Sequence, residues 1–131
     1  MIMNKRLLHT RNLAKSWNHL DTSFMKEDLS EDVKYFSLDM KYNLSGKKDV
    51  LFYLDTKFSS IRFAQNFQNI KILAEMGTLR KLPCVILRQI SKDYDREVVI
   101  TTQTVNDRIS SIRLNEPSHV FDLVNTREVV M

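Results

Sequence analysis

Glycine, proline and cysteine are nearly missing from this 131-residue chain, which has two, two and one of them. With only Gly46 and Gly77 available, no glycine-rich loop can cradle a phosphate. A lone Cys84 excludes an intramolecular disulfide, which fits an intracellular, reducing compartment. One cysteine and three scattered histidines, His9, His19 and His119, lack the ligand spacing of a zinc site. No run approaches the roughly 20 apolar residues that span a bilayer, and no apolar segment marks a secretory signal. No low-complexity stretch or linker divides the chain. A hydrophobic content of 43% with 27% charged residues is that of an ordinary globular protein, read as one domain over 1–131.

The formal net charge is +4, so a polyanionic partner is a reasonable expectation. The first acid is Asp21, whereas Lys5, Arg6, Arg11 and Lys15 precede it, with Leu7, Leu13, Trp17 and Leu20 at helical spacing. Such a segment is either an organelle transit peptide or a helix that docks on the core and shows a basic face. Asp21 to Asp32 reverses the charge and reads as a connecting loop or a short acidic helix, with Ser23 as a candidate cap.

Alternation carries the main chemical signal. From Lys34 to Leu44, the residues Phe36, Leu38, Met40, Tyr42 and Leu44 fall on one face of an extended segment. From Asp49 to Phe58, Val50, Phe52, Leu54, Thr56 and Phe58 do the same. A hairpin turning at Ser45-Gly46-Lys47 pairs Tyr42 with Val50, Met40 with Phe52 and Leu38 with Leu54. That register sets Asp39 diagonal to Asp55, roughly 7–8 Å apart, with Lys41 and Lys57 each two residues beyond an aspartate. Two carboxylates backed by a lysine suit metal-dependent phosphodiester cleavage, in which Mg²⁺ or Mn²⁺ neutralises the phosphate and activates a water. The same four residues also make a solvent-facing charge ladder, whose pairs are each worth roughly 0–1 kcal/mol.

Beyond Lys57 the period changes. Ser59 or Ser60 is expected to cap a helix with Phe63, Phe67, Ile70 and Ala74 buried, ending at Gly77. Leu82 to Ile90 is a nearly continuous apolar run and reads as an interior strand. Glu97–Val105 and Ile109–Leu114 follow as strands, and Pro117 opens a short helix through Asn125. The expectation is an α+β domain in the order αββαββ: a mixed sheet, an N-terminal helix and a helix after a hairpin. Its core would include Phe36, Leu38, Met40, Phe52, Leu54, Phe63, Phe67, Ile70, Val85 and Leu87.

Strand-strand-helix-strand, with an acid on the first strand and Asp-x-Lys on the second, resembles the core of the PD-(D/E)XK nuclease superfamily over roughly residues 33–90. By position the resemblance implies Asp39 and Asp55 as metal ligands, Lys57 as the residue that orients the attacking water, and Gln65 or Gln68 as the helix glutamine. Asp49 shares an alternation face with Asp55 and is the other candidate first acid. The resemblance also implies a homodimer, since two strands need two active sites. A second expectation is a non-catalytic basic module for nucleic acid or a protein partner. Its contacts would be Lys41, Lys47, Lys48, Gln65, Arg80 and Lys81, with Tyr42 and Tyr53 as stacking surfaces. A third is a subunit whose Glu97–Val105 strand lies at a sheet edge and pairs with another chain.

Overall fold

The N-terminal segment is a docked helix. In the computed structural model, which describes residues 4–38 and 43–131, α1 runs Lys5–His19 and buries Leu13, Ala14 and Trp17. Asn4 caps its start by accepting a hydrogen bond from the Leu7 N–H. At its other end Leu20 turns left-handed, and the Arg62 guanidinium donates to the His19 and Leu20 carbonyls. A cation therefore meets the negative end of the helix. Two 3-10 turns, Thr22–Phe24 and Lys26–Asp28, carry the chain to β1, Leu29–Phe36. The cap between these elements is Asp21, not Ser23. The Ser23 backbone N–H donated to its carboxylate holds that group below the usual carboxylate range.

The expected hairpin partner of β1 is a helix. After the short β2, Leu44–Ser45, residues Lys47–Ala64 form α2. Gly46 precedes it with φ 101°, a region that favours glycine, and donates its N–H to the Val33 carbonyl at 2.8 Å. Asp49 in the first turn complements the helix dipole. The apolar residues that alternate along 50–58 also fall at helical spacing. Val50, Leu54 and Phe58 are buried, and Leu51 and Ile61 pack beside them. Of the expected core, Leu54, Val85 and Leu87 are buried, but Phe52, Phe63 and Phe67 are 74%, 66% and 75% exposed. Phe36, Leu38 and Ile70 are half-buried, and Met40 lies outside the described residues.

Five further strands follow: β3 (Lys71–Leu79), β4 (Leu82–Ile90), β5 (Asp95–Val105), β6 (Arg108–Asn115) and β7 (Leu123–Val129). The sheet order is β2-β1-β6-β5-β4-β3-β7, with β1 parallel to β6 and every other pairing antiparallel. The architecture is α+β with a mixed seven-stranded sheet. β4 has the bounds expected from its apolar run. The Glu97–Val105 segment is interior, between β4 and β6, so it offers no edge to a partner. Gly77 does not stop a helix; it lies within β3, where an added Cβ would meet Ile86 Cδ1 at 2.7 Å and the Val124 carbonyl at 2.8 Å. Pro117 opens only a three-residue 3-10 turn before β7.

Both helices cover one face of the sheet. Leu29, Val33 and Tyr35 of β1, Ala74 and Met76 of β3, Val85 and Leu87 of β4, and Val98 and Ile100 of β5 point toward them. Asn18 fastens α1 to the sheet: its amide donates to the Ala74 and Val130 carbonyls and accepts the Ala74 N–H. The opposite face carries a smaller apolar cluster of Cys84, Ile86 and Val99, packed against Leu79, Val120 and Leu123. Among the described residues, no helix is long and apolar enough to cross a membrane.

Candidate functional site

Where the two helices leave the sheet, a cavity of about 60 Å³ opens to solvent. Trp17 of α1 and Ile61 of α2 form its helical wall, and Ile72, Leu87, Val98 and Leu114 line its sheet wall. The pairings Ile72–Gln89, Gln89–Arg96 and Leu87–Val98 place these side chains on one face at one end of β3, β4 and β5. Trp17 is 2% exposed and meets the Phe58 ring edge-on at 4.8 Å between centroids. The cavity is therefore apolar along most of its length.

Four polar side chains interrupt that lining: Ser37, Lys57, Gln89 and Arg96. Ser37 continues the inward alternation of Val33 and Tyr35 just beyond β1. Gln89 donates to the Tyr94 hydroxyl at 2.8 Å. Lys57 stands over the Tyr53 ring, its Nζ 5.9 Å from the centroid, and Tyr53 in turn packs on Tyr35 at 5.4 Å. Tyr35 is 1% exposed and its hydroxyl meets no partner among the described residues; burial pushes that phenol far above its ordinary range. Among the described residues no carboxylate, imidazole or thiol lines the cavity. The lining can thus donate hydrogen bonds and present positive charge to a ligand.

The residues expected from sequence divide sharply. Lys57 lines this cavity, on the inner side of α2. Asp55, two residues earlier and so on another side of the helix, accepts a hydrogen bond from the Thr22 hydroxyl at 2.6 Å. It ties the 3-10 turn to α2 and does not share a site with Lys57. Asp39 and Lys41 lie outside the described residues, as does Tyr42. Asp49 is exposed in the first turn of α2. No group of three or more His, Cys, Asp or Glu side chains that could hold a metal ion occurs among the described residues.

The expected nucleic-acid contacts are dispersed as well. Lys47 approaches Glu31 at 3.9 Å and Lys48 is exposed beside it at the start of α2. Arg80 and Lys81 form the two-residue turn between β3 and β4, both with positive φ, as a type I′ hairpin requires. In the sheet order that turn is four strands from β2. Gln65 closes the end of α2 by donating to the Ile70 carbonyl. Sequence reasoning missed Trp17, Ser37, Ile61, Ile72, Gln89, Arg96, Val98 and Leu114, and no local motif marks them, because the cavity draws its walls from both helices and five strands or strand ends.

No protein-family model matches the chain, and no curated protein matches it. Solved structures do, along most of its length. A steroid delta-isomerase from Pseudomonas aeruginosa has a TM-score of 0.59 at 11% identity, covering 87% of this chain and 80% of that one. An LEH-like epoxide hydrolase from M. tuberculosis has a TM-score of 0.58 at 10% identity, covering 88% and 85%. An NTF2-like protein from Anabaena variabilis has a TM-score of 0.59 at 15% identity, covering 87% and 92%. These likenesses overturn the PD-(D/E)XK resemblance. A nuclease core would need its second acid and lysine on a strand, and here both sit on α2. The expectations of phosphodiester cleavage and of nucleic-acid binding fall with it. At identities this low the comparison shows architecture alone, and the architecture is the NTF2-like fold.

Proposed function

We propose that the protein binds a small organic molecule in the cavity between Trp17 and the sheet. The observation that carries this reading is the lining itself: a largely apolar recess formed by both helices and by the inward face of the sheet, interrupted by four polar side chains. Well-packed interiors leave few such spaces, and a recess with this division of lining is the usual form of a small-molecule site. The fold comparison supports the reading by analogy, since two of the similar structures are named for acting on a steroid and on an epoxide. Fold alone does not transfer an activity.

Trp17 makes the reading testable, because it is the chain's single tryptophan and it walls the cavity. A panel of small acids, alcohols, ketones and aromatic compounds is titrated while Trp17 emission and thermal midpoint are followed. Binding should shift both saturably in the wild type. Val98→Phe places a larger ring in the recess and should abolish both responses while the variant stays folded. If no compound moves Trp17 emission, or if binding persists undiminished in Val98→Phe, the cavity is not the site.

A further inference from the structure

Resting on that reading, we infer that the cavity selects ligands that join an apolar body to a single carboxylate, held by the Lys57 ammonium. Lys57 is half-buried among Trp17, Leu38 and Ile61, yet no carboxylate lies within 4 Å of its Nζ among the described residues. Among the described residues its close partner is the Tyr53 ring. A cation–π contact near 6 Å steadies an ammonium without neutralising it. A charge held against an apolar wall is costly unless it meets a counter-charge, and a bound anion supplies one. The attraction is also stronger there than between two ions in open water.

The neighbouring groups fit an anion rather than a cation. Ser37, which lines the same recess, can donate its hydroxyl. The geometry favours a monoanion. Phosphate dianions are usually received by helix N-terminal amides or bidentate arginine clusters. Lys57 lies about three turns into α2, away from its N-terminal amides. One ammonium matches one carboxylate. The Tyr53 ring, packed at a tilt against Tyr35, lies beside that ammonium.

The test uses three probes with one body: hexanoate, hexanol and hexylammonium, each titrated against the full chain by Trp17 fluorescence at low and high salt. Hexanoate should bind at least tenfold more tightly than hexanol, hexylammonium should bind least well, and salt should weaken hexanoate alone. Lys57→Met keeps most of the apolar stem. It should remove the preference for hexanoate while leaving hexanol affinity within about twofold. Lys57→Arg should retain the preference. Unchanged midpoints for both variants establish that the effect is local. If hexanol binds as well as hexanoate, or Lys57→Met keeps the preference, the carboxylate inference is overturned while the cavity reading stands. If none of the three probes binds and the wider panel also fails, the cavity reading falls and this inference with it.

Discussion

Truncating Leu54 and truncating Phe67 should have opposite consequences to those expected from residue size. Leu54 is fully buried beneath α2, between Val50 and Phe58, whereas Phe67 is 75% exposed just past the helix end. Leu54→Ala removes three carbons. At about 0.8 kcal/mol for each, the lost transfer energy is about 2.4 kcal/mol. The space left under a helix clamped at both ends cannot fully collapse, so the total should be about 3–4 kcal/mol. Phe67→Ala removes a larger side chain but little burial. Its one ring contact, Phe63 at 5.2 Å between centroids, limits the loss to under about 1 kcal/mol. Urea unfolding followed by Trp17 emission reads both, with equal slopes required for the comparison. A larger loss for Phe67→Ala than for Leu54→Ala would mean that α2 is rotated from the orientation described, and the cavity built on its inner side would be wrong too.

Three other expectations are independent of the ligand. Burial pushes the Cys84 thiol up to about 11. In the unfolded chain it ionises near 8.5. Between those values the unfolded state holds fewer protons, so stability should be level below about pH 8 and fall by up to about 1.4 kcal/mol per pH unit above it. Cys84→Ala should flatten the profile between pH 8.5 and 10, below the range in which Tyr35 adds its own loss, and an unchanged slope would contradict the assignment. Gly77→Ala puts a methyl against Ile86 and the Val124 carbonyl; denaturation should show a loss of about 1–3 kcal/mol. Asp55→Asn weakens the bond from the Thr22 hydroxyl and should cost about 1 kcal/mol, with Trp17-reported ligand affinity unaltered.

Much of the fold can be read in the chain where burial is simple. β4 is apolar on both faces because helices cover one and the Val120–Leu123 segment covers the other, so Leu82–Ile90 is a continuous hydrophobic run. α1 shows its stripe, Leu13 and Trp17, for the same reason. The segment from 47 to 64 satisfies two periods at once. Val50, Phe52, Leu54, Thr56 and Phe58 alternate, while Val50, Leu51, Leu54, Phe58 and Ile61 recur at helical spacing. Only its length, 18 residues without glycine or proline, favours the helix, since strands of that length are rare. Phe63, Phe67, Ile70 and Ala74 then mimic a helical stripe across what is in fact the end of α2, a loop and the start of β3. Lys57 lines the cavity without Asp55 among its lining residues, because its neighbours there come from distant strands that no spacing rule can bring together.

The one parallel pairing in the sheet has a consequence for how the chain can assemble. β1 finds its long partner in β6, with Leu29 beside Ile109 and Tyr35 beside Ile112, and α1 packs on β3 and β4. β1 therefore lacks its long partner until the last third of the polypeptide exists. On a ribosome, β1 must wait for β6 while nearly eighty more residues are added, and closing so long a loop carries an entropic penalty before that pairing offsets it. Folding should begin in the antiparallel β3–β6 meander, whose turns are short and local, and finish when β1 closes on β6. Until that moment the recess that Trp17 walls does not exist, so a ligand held there acts on the final step of maturation and on nothing earlier.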